Sequence, residues 1–312
     1  MLIPFAASGD EGCRAALRTL ALPHLEKLAA RLQAQPADEG DPASLSMPHE
    51  RAIAQALGLQ APDGRIPWAA WQVQQAGRDT RMAAWAWLTP CHWRVGMDHV
   101  RMDHPQNLQL DPRDSQKLLA AMAPYFEEDG VRVEYDAPTR WLARGELFRQ
   151  LPTASLDRVV GRVIDGWLPQ GAAAAPLRRL QQEMQMLLYT HPVNEERVRG
   201  GLLPVNSFWV SGTGGLPASH PPSHPPGLQV THSLRDAALL GDWAAWAARW
   251  QQLDSQECAR LLALLERGES IALTLCGERA ARTWQSAPQG GLARRFKSLF
   301  GRKAASTLLG RL

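Results

Sequence analysis

Residues 183–214 read EMQMLLYTHPVNEERVRGGLLPVNSFWVSGTG. This order predicts the end of a helix, a fixed turn, a short helix, and a buried strand that runs into a glycine loop. Pro192 disfavours the helical conformation for the residue before it, His191, and Asn194 is suited to cap the short helix. The glycine pair at 200–201 lets the chain reverse. The stretch therefore predicts a turn between a helix and a core strand, and it indicates a fold more directly than a reaction.

The sequence on either side alternates between strand and helix patterns. LIPFAA (2–7) predicts a buried first strand, and residues 12–34 predict a helix divided at Pro23. SIALTLC (270–276) predicts a final buried strand, followed by a short helix that ends at Trp284. We therefore expect an α/β protein with a layered αβα core and a smaller inserted α+β subdomain. The expected divisions are residues 1–82 and 171–290 for the core, 83–170 for the insertion, and 291–312 for a basic amphipathic tail.

Composition limits the class of protein. The 312 residues carry a net charge of +3, with 45% hydrophobic and 21% charged residues, which is typical of a soluble globular protein without a strong field for nucleic acid. The four cysteines are far apart and form no CxxC motif, a pattern that fits reduced thiols. No signal peptide or run of about 18 apolar residues is evident. We expect a cytoplasmic protein that does not bind nucleic acid.

The segment HPVNEERVRGGLLPVNSFWVSGTG (191–214) resembles part of the archaeal-type cofactor-independent phosphoglycerate mutases, which belong to the alkaline-phosphatase-like superfamily. The matching positions are His191, Pro192, Val193, Asn194, Arg197, Gly201, Pro204, Asn206, Gly212 and Gly214. Weaker resemblances are found in residues 22–32 and 87–99. Nearly the whole chain resembles a bacterial family of about this length, described either as phosphoglycerate mutases or as RpfE-type regulatory proteins.

The resemblance implies a set of ligand-binding candidates. A glycine loop after a strand can present backbone N–H groups to an anion, which favours a small phosphorylated or anionic ligand. In the mutases an arginine is expected just before the loop glycine, whereas this chain has Ser211 there. The candidates for ligand contact are His92, His99, His191, Asn194, Arg197, Asn206, Ser211, Gly212 and Gly214.

The resemblance also implies catalytic groups, and this chain departs from them. Mutases of this type use two divalent metals and a serine nucleophile, with an aspartate directly after the first strand. Here Ser8-Gly9 follow that strand, and only Ser46 and His49 lie near the nucleophile position. A different metal site could use His92, His99 and His104 with Asp98 and Asp103, but spacings of 7 and 5 match no metal template. His220 and His224 are spaced for weak metal binding only. We therefore predict no resident metal and no cofactor.

The leading expectation is a phosphoglycerate-mutase-like regulatory or ligand-binding protein that lacks the two-metal centre and binds either a small ligand or a protein partner. We favour a protein that is not an enzyme. The alternative is an active mutase or phosphatase with a rearranged site that uses Mn²⁺ or Mg²⁺. A third hypothesis is a membrane-associated adaptor, because residues 292–312 carry basic residues and no acid. A solvated tail is the simpler interpretation of that segment.

Overall fold

The computed structural model describes residues 1–217, 220, 227–287 and 304–312. It is a mixed α/β protein, as predicted. The helices are α1 Glu11–Thr19, α2 Pro23–Arg31, α3 Pro48–Ala56, α4 Trp68–Gln75, α5 Pro112–Glu128, α6 Leu156–Val159, α7 Ala175–Tyr189, α8 Pro192–Arg199, α9 Arg235–Leu239, α10 Trp243–Leu253, α11 Ala259–Glu266 and α12 Ala305–Leu309. The strands are β1 Leu2–Ile3, β2 Gln33–Ala34, β3 Asp38–Glu39, β4 Trp85–Cys91, β5 Trp93–Val95, β6 Val100–Met102, β7 Arg132–Ala137, β8 Arg140–Arg144, β9 Ser207–Gly214, β10 Ala272–Cys276 and β11 Ala280–Gln285. A π-helical segment, Asp254–Cys258, joins α10 to α11.

The chain divides into two compact units. The first comprises Met1–Ala43, Met47–Leu57 and His224–Leu312, and the second comprises Ser44–Ser46 and Gly58–Ser223. The predicted insertion, residues 83–170, lies within the second unit, and its limits as a separate subdomain stay a prediction.

The first unit is built on a small mixed sheet. Strand β1 pairs in parallel with β10, which forms an antiparallel hairpin with β11, and β11 in turn pairs with β2 and β3. The apolar faces of α1, α2, α10 and α11 contribute to the core of this unit. The fold of this unit therefore depends on pairing between the two ends of the sequence.

The first strand is shorter than predicted. It ends at Ile3, and Phe5 takes a left-handed conformation with φ of 56°. The indole of Trp246 donates to the Phe5 carbonyl at 2.9 Å, and the indole of Trp250 donates to the Ala6 carbonyl at 3.1 Å. Both tryptophans are fully buried, so they hold the loop after β1 as well as filling the core.

The short helix predicted to end at Trp284 is wrong, because these residues form β11. Trp284 lies opposite Leu273 on one side and Ala34 on the other. The neighbouring strands β10, β2 and β3 supply the backbone hydrogen bonds of β11, and this pairing overrides a short local pattern that suits either structure.

The described end of the chain, residues 304–312, is part of the first unit. Leu308 and Leu309 of α12 are buried in its core, whereas Arg311 is exposed. Of the basic tail that was proposed to contact lipid, residues 292–312, the part up to residue 303 lies outside the described residues. Within the described part of the chain, no helix has the length and apolar character needed to cross a membrane.

The second unit contains a four-stranded antiparallel sheet in the order β7-β8-β4-β9. One face bears Ala86 and Leu88 and packs into a core with Phe126 of α5 and Met184 of α7. Because side chains alternate along a strand, Trp87 points to the other face, where its indole donates to the side chain of Gln72 on α4 at 2.8 Å. Helix α4 therefore covers part of that second face.

Candidate functional site

The turn that opens the family-like segment is held by buried hydrogen bonds. The Asn194 amide donates to the carbonyls of Leu188 and Val205 at 2.8 and 2.7 Å and accepts from the Val205 N–H at 2.9 Å. The predicted capping role of Asn194 is wrong, because His191 is the N-cap of α8 and its Nδ1 accepts from the Val193 N–H at 3.2 Å. Asn194 instead is buried between the end of α7 and the segment that enters β9, and its amide joins the two.

Arg197 faces the protein interior. Its side chain is 2% exposed, its Nε donates to the Leu203 carbonyl at 3.0 Å, and its Nη2 donates to the Leu108 carbonyl. Burial lowers the pKa of Arg197, and the carboxylates of Asp114 and Asp111 oppose that effect. Among the described residues, this guanidinium holds the chain segments at Leu203 and Leu108 in place. Its contact with a ligand stays a prediction.

Asn206 and His92 connect the segment that enters β9 to the start of β5. The Asn206 side chain accepts from the Trp93 N–H at 2.7 Å and donates to the Trp93 carbonyl at 2.9 Å. The Nδ1 atom of His92 lies 2.8 Å from the Pro204 carbonyl. These bonds mimic a strand ladder between two chain segments.

The histidine candidates for a metal site are engaged separately. The Nδ1 of His99, near the tip of the β5–β6 hairpin, lies 2.6 Å from the Asp98 carboxylate, and the Nδ1 of His104 accepts from the Gln106 N–H at 3.2 Å. Among the residues that the structure describes, no group of three His, Cys, Asp or Glu side chains is placed to hold a metal ion. His224 lies outside the described residues.

The nucleophile candidates belong to different units. Ser46, in the second unit, is 3% exposed, and its Oγ accepts from the Gly64 N–H at 2.9 Å. Burial acts to raise the pKa of the nearby Asp63, but hydrogen bonds from Leu45, Ser46 and Ser44 lower it overall. His49, in the first unit, is buried at the start of α3, and its ring centroid lies 5.2 Å from that of Phe5 with the two rings tilted by 41°.

The acids near the end of β1 have structural contacts. Asp10 is the N-cap of α1, with Oδ1 at 2.7 Å from the Gly12 nitrogen. Glu278, which follows β10, accepts from the Ser8 hydroxyl at 3.1 Å and from the Gly9 N–H at 3.2 Å. These carboxylates close a turn and cap a helix, so the described residues around this strand end do not fit a two-metal centre.

The predicted glycine loop is part of strand β9. Ser211 is buried and lies opposite Trp87, while Gly212 and Gly214 adopt φ values of 63° and 135° within the strand. The register of β4 and β9 shifts between Trp85 and Trp87, which is the sign of a bulge. The prediction that residues 212–215 form an open loop after the strand is therefore wrong for 212–214, because the ladder continues through them.

A small cavity does lie where β9 ends. It has a volume of about 160 Å³, and its lining includes Gly214, Gly215, Arg65, Arg149 and His220. We call it the β9 cavity. A side chain at Gly215 would place its Cβ 3.1 Å from Nη1 of Arg149, so the glycine gives the guanidinium room to approach. Sequence reasoning identified the glycines but missed both arginines, since nothing local links them to residue 214.

The polar groups of the β9 cavity differ in how they are paired. Arg149 forms a bidentate pair with Glu146 at 2.5 and 2.9 Å, which raises the pKa of Arg149. Arg65 bonds to the neutral Gln150 amide and, among the described residues, has no carboxylate partner. The Nε2 of His220 is shielded from solvent without a hydrogen-bond partner in the described part of the chain. The cavity thus offers a cation that has no carboxylate partner among the described residues, and His220 is part of its lining.

Comparison with known proteins gives weak, partial similarity to cofactor-independent phosphoglycerate mutases, and no family model matches the chain. The chain is 38% identical over 96 residues to the 2,3-bisphosphoglycerate-independent phosphoglycerate mutase of Methanothrix thermoacetophila and 39% identical over 59 residues to that of Methanosarcina mazei. These matches cover 28% and 19% of this chain but only 23% and 15% of the relatives' lengths.

Two solved structures are also similar over most of their length. The cofactor-independent phosphoglycerate mutase of Thermoplasma acidophilum is 14% identical, with 99% of this chain and 98% of that chain covered and a TM-score of 0.38. The PH0037 protein of Pyrococcus horikoshii is 13% identical, with 99% of this chain and 95% of that chain covered and a TM-score of 0.49. The sequence matches, which cover less than a third of this chain, therefore show a partial similarity to cofactor-independent phosphoglycerate mutases.

Proposed function

We propose that this chain is a phosphoglycerate-mutase-like regulatory protein that binds a small phosphorylated or anionic ligand in the β9 cavity without two-metal catalysis. The observation that carries the proposal is that Arg65 and Arg149 both line this cavity, beside Gly214 and Gly215. Arg149 is paired with Glu146, whereas Arg65 has no carboxylate partner among the described residues. Guanidinium groups bind phosphate and carboxylate oxygens in a bidentate manner. A volume of about 160 Å³ holds roughly five waters at about 30 Å³ each, enough for a phosphate group and a few further atoms.

His220 supports an oxygen-rich ligand. Its buried Nε2 lacks a partner among the described residues, and an unsatisfied buried polar atom costs roughly 1–3 kcal/mol. An anion in the cavity would accept a hydrogen bond from this nitrogen when the ring carries a proton there. A ligand that reached this nitrogen would satisfy an atom that is unpaired among the described residues.

The non-catalytic part of the proposal is supported by the engagement of the candidate groups. Ser46 is buried in a hydrogen-bonded turn with Asp63, and Asp10 and Glu278 cap and close backbone segments. An activated nucleophile needs access to its substrate and a neighbouring base. Ligand binding that changes affinity for a protein partner fits these contacts better than phosphotransfer does. Four free, buried cysteines support a reducing, cytoplasmic location.

The test is calorimetric titration with 3-phosphoglycerate and with inorganic phosphate. We expect Arg65→Gln and Arg149→Gln to weaken binding at least tenfold, and Arg199→Gln, an exposed arginine at the end of α8, to leave it unchanged. Equal affinity in all three variants would overturn the β9 cavity as the site. In parallel, interconversion of 3- and 2-phosphoglycerate is assayed with Mn²⁺ and with Mg²⁺, and metal content is measured. Turnover with stoichiometric bound metal would replace the regulatory proposal with the active-enzyme alternative.

A further inference from the structure

Two arginines face each other across the edge of the second unit's sheet. The antiparallel register of β7 and β8 pairs Arg132 directly with Arg144. The same register row continues through Trp85 of β4 to Gly214 of β9. Residues paired in this way share one face of the sheet, and like charges directly opposite each other are destabilising. The arrangement therefore calls for a compensating negative charge.

The acidic side chains nearby are paired with other arginines. Glu134 bonds to Arg78 at 2.8 Å, and Asp136 bonds to Arg140 at 2.5 Å. These two carboxylates are the acidic residues of β7, so the strand that carries Arg132 has none left for it. In the described residues, no carboxylate lies within ion-pair distance of Arg132.

Arg144 contacts an aromatic ring and has no carboxylate bonded to it among the described residues. Its guanidinium lies 5.7 Å from the ring centroid of Trp85, a cation–π distance that fixes its direction. The acid that interacts with it electrostatically is Asp79, whose carboxylate is held by Arg81 at 3.0 and 3.2 Å. Those bonds lower the pKa of Asp79, and Arg144 adds only a smaller contribution. Arg144 is thus positioned by an aromatic ring and left without a direct acidic partner in the described ranges.

The two arginines line a cavity of about 340 Å³, which we call the β7–β8 cavity. Glycines occupy two positions of its lining. Gly130 has a φ of 70° and open space where a side chain would lie, and a Cβ at Gly145 would come 2.9 Å from a methyl group of Val131. These two glycines add no side chain to the lining. Glu146 also lines it, but this carboxylate is held by Arg149.

We propose that Arg132 and Arg144 form a second anion site, distinct from the β9 cavity, that binds the phosphate group of a small phosphate monoester. A dianionic phosphate has enough oxygens to accept from both guanidinium groups at once, and it would cancel the repulsion that the register imposes. The volume exceeds that of the β9 cavity, so it accommodates the organic part of the ester as well as the phosphate. This site does not depend on the function proposed for the β9 cavity.

The experiment is NMR titration of the arginine Nε–Hε signals of the full chain with inorganic phosphate and with 3-phosphoglycerate, against sodium chloride at equal ionic strength. We expect the signals of Arg132 and Arg144 to shift, with tighter binding of the ester than of inorganic phosphate. Arg132→Gln and Arg144→Gln should each weaken binding about tenfold, whereas the exposed Arg113→Gln on α5 should match the wild type. Arg65→Gln should leave these shifts intact, which separates this site from the β9 cavity.

A second readout keeps the test independent of folding defects. Without phosphate, Arg132→Gln should raise Tm, since it removes one of two opposed charges and no described ion pair or ring contact. With phosphate, the wild type should gain more in Tm than the variant does. Shifts that chloride reproduces, or equal affinity in Arg132→Gln and Arg113→Gln, would overturn the site.

Discussion

Asp254 is expected to be one of the most important single side chains for the stability of the first unit. Helix α2 begins with Pro23, and the residue at its N-cap is Leu22, which has no side chain able to cap. The missing cap is supplied by Asp254 of the π-helical segment, which is 3% exposed. Its carboxylate accepts from the Leu25 N–H at 2.7 Å and from the His24 N–H at 3.2 Å, and it lies 2.9 Å from the His24 ring nitrogen.

The magnitude follows from these contacts. Loss of an N-cap costs about 0.5–2 kcal/mol, and each buried donor left unsatisfied costs about 1–3 kcal/mol. These terms overlap, so we expect Asp254→Ala to lower the free energy of unfolding of the first unit by about 3 kcal/mol. Asp254→Asn keeps one acceptor oxygen and should cost about half as much. The control is Asp236→Ala on α9, where an exposed carboxylate pairs with Arg235, and its cost should stay below about 0.5 kcal/mol.

The assay combines urea unfolding with hydrogen exchange. Because the chain has two compact units, a single transition cannot be assumed, and exchange of the amides of α2 locates the effect. Asp254→Ala should speed exchange in residues 23–31 more than in α5 of the second unit. If Asp254→Ala costs no more than Asp236→Ala, the capping argument is refuted.

Three further predictions concern titration, thiol access and the glycine strand. Burial lowers the pKa of His191 below 6.5, so the unfolded chain binds more protons than the folded chain and stability should fall as pH drops from about 6.5 through the folded pKa. His191→Asn keeps a capping side chain, and it should remove this pH dependence of the unfolding free energy in urea titrations at several pH values. Burial raises the pKa of Cys13 to about 11 and of Cys258 to about 12, and raises that of Cys91 and Cys276 still further. A thiol reagent at pH 8 should therefore modify none of the four within minutes until guanidinium is added, and rapid labelling of any one would contradict this. Ser211→Arg should destabilise the second unit by more than about 3 kcal/mol, because it buries an unpaired charge, whereas Ser211→Ala should cost less than about 1 kcal/mol in the same thermal melts.

Local signals allowed part of the fold to be predicted from the sequence. Asp111 and Pro112 mark the start of α5, and the structure begins the helix there with the Asp111 carboxylate 2.8 Å from the Asp114 nitrogen. The division of residues 12–34 at Pro23 is likewise confirmed. In both cases the residues that decide the outcome are within four positions of each other.

Other features depend on contacts between distant residues. Asp254 caps a helix that begins 231 residues earlier in the chain, and no pattern in PHLEKLAAR indicates a cap from elsewhere. Strand β11 is fixed by pairing with β10, β2 and β3 and not by its own composition. The opposition of Arg132 and Arg144 follows from a register that residue spacing alone does not set.

The serine at position 211, where an arginine was expected before Gly212, does not remove positive charge from the end of β9. Ser211 is buried opposite Trp87 and is not part of the lining of the cavity at the end of β9. Cations reach that end from Arg65 and Arg149, because Gly215 allows the second of these to approach. The turn at Asn194 has an indirect part in this arrangement, since its amide fixes the entry to β9. Residues 183–214 therefore determine where the cavity lies, while residues outside the segment supply its charge.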